Sequence, residues 1–143
     1  MKRLVYAMST INPQMQRNWA MKAVIYDNNE GSIPHIHVYH DADHSKCSYV
    51  RLDKAEYSLH HDQNDPNTKN TPLDKKQLAD LIKLLSSPWP RHYIELADGT
   101  IRVATGYEYC VTTWIDAYGD QEADKFSYDE NGNLVMPDYS LLK

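Results

Sequence analysis

Hydrophobic and polar residues alternate with two different periods along this chain. Over residues 19–26 the period is two: Met21, Ala23 and Ile25 fall on one side of an extended segment, and Lys22, Val24 and Tyr26 on the other. Asp27-Asn28-Asn29-Glu30-Gly31-Ser32 then reads as a turn. The alternation resumes at His35–His40, with Ile36 and Val38 as the core face and His35, His37 and Tyr39 on the more polar face. Residues 41–45 read as a hairpin loop, and Lys46–Leu52 as the returning strand. Cys47, Tyr49 and Arg51 share one side of it; whether this is the histidine side stays open. Residues 3–8 predict a short first strand and residues 55–61 a further strand or bent extension. These segments make an antiparallel meander.

The period changes after the polar loop 62–70. Leu78, Leu81, Ile82 and Leu85 recur at helical spacing, so one helix face packs on the sheet. Thr71 suits its cap, Pro72 its first position and Asp74 its positive end. Ser86-Ser87-Pro88-Trp89-Pro90 ends it, because proline removes a donor and restricts its predecessor. Two short apolar runs flank Asp98-Gly99, a hairpin-turn dipeptide. Thr105 and Glu108 have the spacing of a capping box. Tyr107, Cys110, Val111, Trp114 and Tyr118 then predict a second helix over about 106–117, with a strand as the rival because Tyr, Val, Thr and Trp favour strands. Residues 119–125 are polar, 129–133 form a turn, and the tail docks by Tyr139 and Leu142. The expectation is one α+β domain over residues 1–143: an antiparallel β-meander packed by one or two helices.

Composition narrows the function. The chain has 143 residues, 41% hydrophobic and 24% charged, as in an ordinary globular protein. Its net charge of -5 argues against a duplex-DNA binder, which needs a basic face to exchange counterions for phosphates. No apolar stretch is long enough to span a membrane, and the start is too short for a signal peptide. Cys47 and Cys110 lie far apart with no C-x-x-C, so a cysteine-based zinc site is not expected. The expectation is a cytoplasmic protein with free thiols. The excess of 11 Tyr over 1 Phe suits half-buried strands or a stacking pocket.

The candidate chemistry concentrates in residues 33–44, which hold four of the seven histidines. Three readings compete. In the first, His35 and His37 ligate zinc or manganese with His44 as third ligand, or with Asp43, His60 or His61. The spacing does not complete a known hydrolase pattern: Tyr39 stands where a metallo-β-lactamase or a histidine-triad hydrolase needs a histidine. In the second, His35 and His37 hydrogen-bond a small anion such as a nucleotide, Tyr39, Tyr49 or Tyr57 stacks on it, and Arg51 grips it bidentately. In the third, the imidazoles bridge strands on a solvated sheet face. Weaker pairings, such as Glu56 with His60, are open too.

The run Pro34-His35-Ile36-His37-Val38, with Met21–Tyr26, Cys47–Leu52 and Pro72–Leu85 around it, resembles a family of small prokaryotic proteins of unknown function. Arg51–Tyr57 and Met136–Tyr139 are similar to small proteins of gut bacteria and their phages. The resemblance implies a phage or mobile-element accessory protein, often encoded beside a partner gene in a toxin–antitoxin-like pair. It implies no catalytic residues. The expectation is therefore a non-enzymatic binding protein, acting in phage–host conflict on a nucleotide signal or a protein partner. A metal-dependent phosphodiesterase and a toxin–antitoxin component are the alternatives, and a homo-oligomer is left open.

Overall fold

The computed structural model describes residues 3–7, 22–26, 33–40, 46–58 and 69–142. Four strands form the expected meander: β1 (Arg3–Ala7), β2 (Lys22–Tyr26), β3 (His35–Tyr39) and β4 (Lys46–Arg51). They pair antiparallel in chain order, and a two-residue β5 (Lys69–Asn70) adds to β4 in parallel. The register of β3 on β4 sets Ile36 against Val50 and Val38 against Ser48 on one face, and His37 against Tyr49 on the other.

Two helices cover the Ile36 face. Helix α1 (Lys75–Ser86) begins later than its sequence suggests. Thr71 and Pro72 precede it, and Asp74 is the cap: its side chain accepts from the Gln77 backbone N–H at 2.8 Å, and the Gln77 side chain accepts from the Asp74 N–H at 3.0 Å. Asp74 wins because it has Gln77 three residues on, which closes a reciprocal capping box, whereas Thr71 has only Asp74 there. Leu81, Leu84 and Leu85 are buried on this helix. Helix α2 (Gly106–Tyr118) follows the expected capping box, with Thr105 as cap and Glu108 as its third residue. The strand alternative is thereby settled in favour of helix. The two helices touch at Gly106, where an added Cβ would lie 2.6 Å from the Leu84 carbonyl oxygen. Only a residue without a side chain allows that approach.

Between the helices the chain builds a separate two-stranded ribbon, β6 (Pro88–Glu95) and β7 (Ile101–Thr105), turning at Asp98-Gly99 as expected. The segment Pro88-Trp89-Pro90 does end α1, but it continues directly into a strand. Proline is tolerated there because it lies at the start of a strand and at an irregularity in the ladder between Pro88 and Tyr93. Residues 119–125, read as a polar connection, form a 3-10 helix over Asp120–Lys125. The segment 52–58 bends instead of continuing as a strand, and only Tyr57 makes a bridge, to Val50. Leu52 N–H donates to Pro34 O and Arg51 N–H to Glu56 O, bonds that hold the bend.

Ile25, Ile36, Val38, Val50 and Leu52 from the sheet share one core with Leu81, Leu84, Leu85, Tyr107, Val111 and Trp114 from the helices. The tail closes it: Tyr139 and Leu142 are buried. Two tyrosine hydroxyls pin the end of β4, Tyr107 donating to Leu52 O at 2.6 Å and Tyr139 donating to Arg51 O. Burial pushes both phenols well above their ordinary range, so both stay donors.

Candidate functional site

The alternation of β3 puts His35, His37 and Tyr39 on the side opposite Ile36 and Val38. Their partners across β4 are Arg51, Tyr49 and Cys47 in that order. Directly opposed residues share a face, so Arg51 does stand with the histidines. The four residues expected to bind a ligand are thus brought together. His44, the third expected metal ligand, and Asp43, His60 and His61 lie outside the described residues.

The histidine face is not a solvated one, however. His35 is 2% exposed, His37 6%, Tyr39 6% and Tyr49 2%. Polarity of residue type suggested exposure; cross-strand packing of aromatic rings decides otherwise. His37 meets Tyr49 edge-on with centroids 4.7 Å apart, and His35 lies 5.6 Å from Trp114. Buried imidazoles must be hydrogen-bonded. His35 Nδ1 donates to Ile33 O at 2.7 Å, since a carbonyl only accepts. A neutral His35 then accepts at Nε2, which lies 3.2 Å from His37 Nε2, so His37 donates there.

Arg51 is engaged as well. Its Nε and Nη2 both donate to the Asp53 carboxylate, at 2.8 and 2.7 Å. That hydrogen bond, the largest effect on the group, raises the guanidinium further above its ordinary range. A bidentate grip on an external anion requires this fork to leave Asp53. Among the described residues no group of three or more His, Cys, Asp or Glu side chains forms a metal site.

Sequence reasoning missed one polar chain in the same sheet. His40 and Ser48 are both buried, with Nε2 and Oγ 2.6 Å apart, and the Ser48 hydroxyl donates to Thr71 O. The serine proton is therefore spent on a carbonyl, and His40 donates to Ser48. A nucleophilic serine needs the reverse, with the imidazole accepting. This is a structural link between β4 and the approach to α1, and a separation of eight residues gave no sequence signal for it.

The hairpin expected at Asp98-Gly99 was not read as a candidate site. Tyr93 is 68% exposed and Ile101 66%. The register pairs Tyr93 with Val103 and Glu95 with Ile101, so these four share the outward face. Leu96 N–H donates to Thr100 O at 2.7 Å to close the hairpin. Antiparallel hydrogen bonding alternates, so Ile94 bonds inward to Arg102, and the backbone groups of Tyr93 and Glu95 point to the outer edge of β6. Among the described residues no strand pairs with that edge. The other face is anchored: Trp89 stacks on Tyr109 at 5.0 Å, and His92 packs on the same ring at 4.3 Å. Arg102 grips Glu108 through two hydrogen bonds of 2.8 Å. Arg91, in the irregular stretch, has φ 69, a strained value for a residue with a side chain. Beside the ribbon lies a cavity of about 230 Å³ whose lining includes Ile94, Val111, Ile115 and Leu134.

Among the described residues no helix is long and apolar enough to cross a membrane. No family model, curated protein or solved structure matches the chain.

Proposed function

We propose that this is a non-enzymatic binding protein that docks a protein partner on the β6–β7 ribbon. The observation that carries the reading is the outward pair Tyr93 and Ile101, two large apolar side chains left two-thirds exposed on a rigidly anchored hairpin. Surfaces that keep aromatic and aliphatic groups in water beside an unpaired strand edge are where partners add a strand or an apolar segment.

A protein partner is favoured over a nucleotide for two reasons. The histidine face is interior, and the Arg51 fork is held by Asp53. The resemblance of Pro34–Val38 to small prokaryotic proteins often encoded beside a partner gene also fits a partner from a neighbouring gene. The test is co-expression with the product of that gene, followed by size-exclusion chromatography. A single heteromer is expected, lost in both Tyr93→Asp and Ile101→Asp while circular dichroism stays unchanged. A heteromer that survives both substitutions, or none with the intact chain, overturns the reading.

A further inference from the structure

The turn at 129–133 carries the chain's sole Asn-Gly step, Asn131-Gly132. Asparagine is a thermolabile side chain, and glycine after it has no Cβ to keep the backbone nitrogen from the side-chain carbonyl. Among the described residues the turn holds only the backbone of Asn131: its N–H donates to Asp129 Oδ1 at 2.9 Å, while its exposed side chain is held by no hydrogen bond. The Gly132 N–H donates to Asp129 O at 3.0 Å. That bond lies at an exposed turn tip, where local opening costs little. The neighbouring turn, Asp98-Gly99, offers the same ring closure but a poorer electrophile. Hydrogen bonds from Thr100, including its N–H to Asp98 Oδ1 at 2.9 Å, hold the Asp98 carboxyl below its usual range, and an ionised carboxylate resists attack.

We propose that Asn131 is a self-modification site, converted through a succinimide to aspartate and isoaspartate, and that the isoaspartyl form releases the tip of the β6–β7 ribbon. The Gly132 nitrogen attacks Asn131 Cγ, and the Cγ–Nδ2 bond breaks. Ammonia leaves with the proton that the Gly132 nitrogen gives up, and a five-membered imide remains. Water then opens the imide. Breaking the bond from Cγ to the Gly132 nitrogen restores an ordinary peptide with aspartate at 131. Breaking the other carbonyl–nitrogen bond routes the main chain through Cβ and Cγ, one bond longer. No electrons are exchanged with any other molecule. The longer path falls inside a turn closed by Asp129 N–H to Asn133 O at 2.8 Å and Asn133 N–H to Asp129 Oδ1 at 3.0 Å. Asn133 in turn accepts from the Ala97 N–H through its side-chain oxygen at 2.8 Å, which ties this turn to the ribbon tip. Lengthening the turn displaces Asn133 and breaks that tie, whatever the ribbon binds.

The test is to age the intact chain at neutral and mildly alkaline pH and follow each asparagine by peptide mapping, with electron-transfer fragmentation to tell isoaspartate from aspartate. Asn131 should convert at least tenfold faster than any other asparagine, and faster as hydroxide rises. Asn131→Gln, which would have to close a larger ring, should stay unconverted. In the separated isoaspartyl form, hydrogen exchange at the Ala97 amide should match that of fresh Asn133→Ala, which lacks the tie from the start, while fresh Asn131→Gln exchanges as the fresh parent chain does. Two results overturn the proposal: Asn131 converting no faster than the other asparagines, or an isoaspartyl form whose Ala97 amide exchanges as in the fresh chain.

Discussion

The histidine face of the meander and the outer face of the ribbon are built from similar residues and have opposite fates. Each carries tyrosine, and an arginine and a histidine lie in each strand pair. On the meander, Tyr49 is 2% exposed and Arg51 is locked to Asp53. On the ribbon, Tyr93 is 68% exposed. The difference lies in the neighbours. β3 has a strand on each side and aromatic rings packed on its histidines. Among the described residues β6 has one strand partner, and its inner face packs through Trp89 and His92 on Tyr109. The histidines that looked reactive are interior, and Tyr93 and Ile101, in the apolar runs flanking Asp98-Gly99, are on show.

Paired substitutions sharpen this contrast. The largest effect is expected from Tyr49→Ala, about 3–5 kcal/mol of destabilisation, as for other buried aromatics. Tyr93→Ala should stay within about 0.5 kcal/mol, as for an exposed site. Urea midpoints of the two variants measure both; equal losses would erase the distinction. Next comes Gly106→Ala, where the new Cβ meets the Leu84 carbonyl at 2.6 Å. Backbone cannot yield as a flexible side chain can, so a loss of about 1–3 kcal/mol is expected by thermal unfolding.

Smaller losses should follow removal of the hydroxyls that pin β4. Tyr107→Phe and Tyr139→Phe each leave a carbonyl without its phenol donor, at about 1–2 kcal/mol apiece by chemical denaturation. The smallest effect is expected at the base of the ribbon and appears as pH dependence. Burial pushes Glu108 up, but the Arg102 fork and the Thr105 N–H and hydroxyl outweigh it and hold the carboxyl below its usual range. A depressed carboxylate stabilises the fold above its unfolded pKa of about 4.3, and that contribution disappears as pH falls through the lower folded value. Melting temperatures from pH 6 down to pH 3 should therefore fall more for the intact chain than for Glu108→Gln.

Much of the fold was legible because its signals are local. Thr105 and Glu108 gave the start of α2, Asp98-Gly99 the ribbon turn, and Ile36 and Val38 the core face. Tyr139 and Leu142 were legible as anchors because they are large apolar groups in the tail. The start of α1 was not, because Thr71-Pro72 and Asp74 offer competing caps and only the Asp74–Gln77 box closes. Nor was the strand through Pro88 and Pro90, where proline reads as a breaker unless the partner strand is known. The site was half legible. Alternation put His35, His37 and Tyr39 together, but the place of Arg51 needed the register of β4, and burial depends on rings far apart in sequence, such as Trp114.

The contrast between an interior histidine face and an exterior ribbon is tested most directly by histidine-specific acylation of the native protein, read residue by residue by mass spectrometry. His92, exposed on the ribbon, should react rapidly, while His35 and His37 stay unmodified until the chain is unfolded. Modification of His35 or His37 at the rate of His92 in the folded protein would contradict the assignment of the two faces.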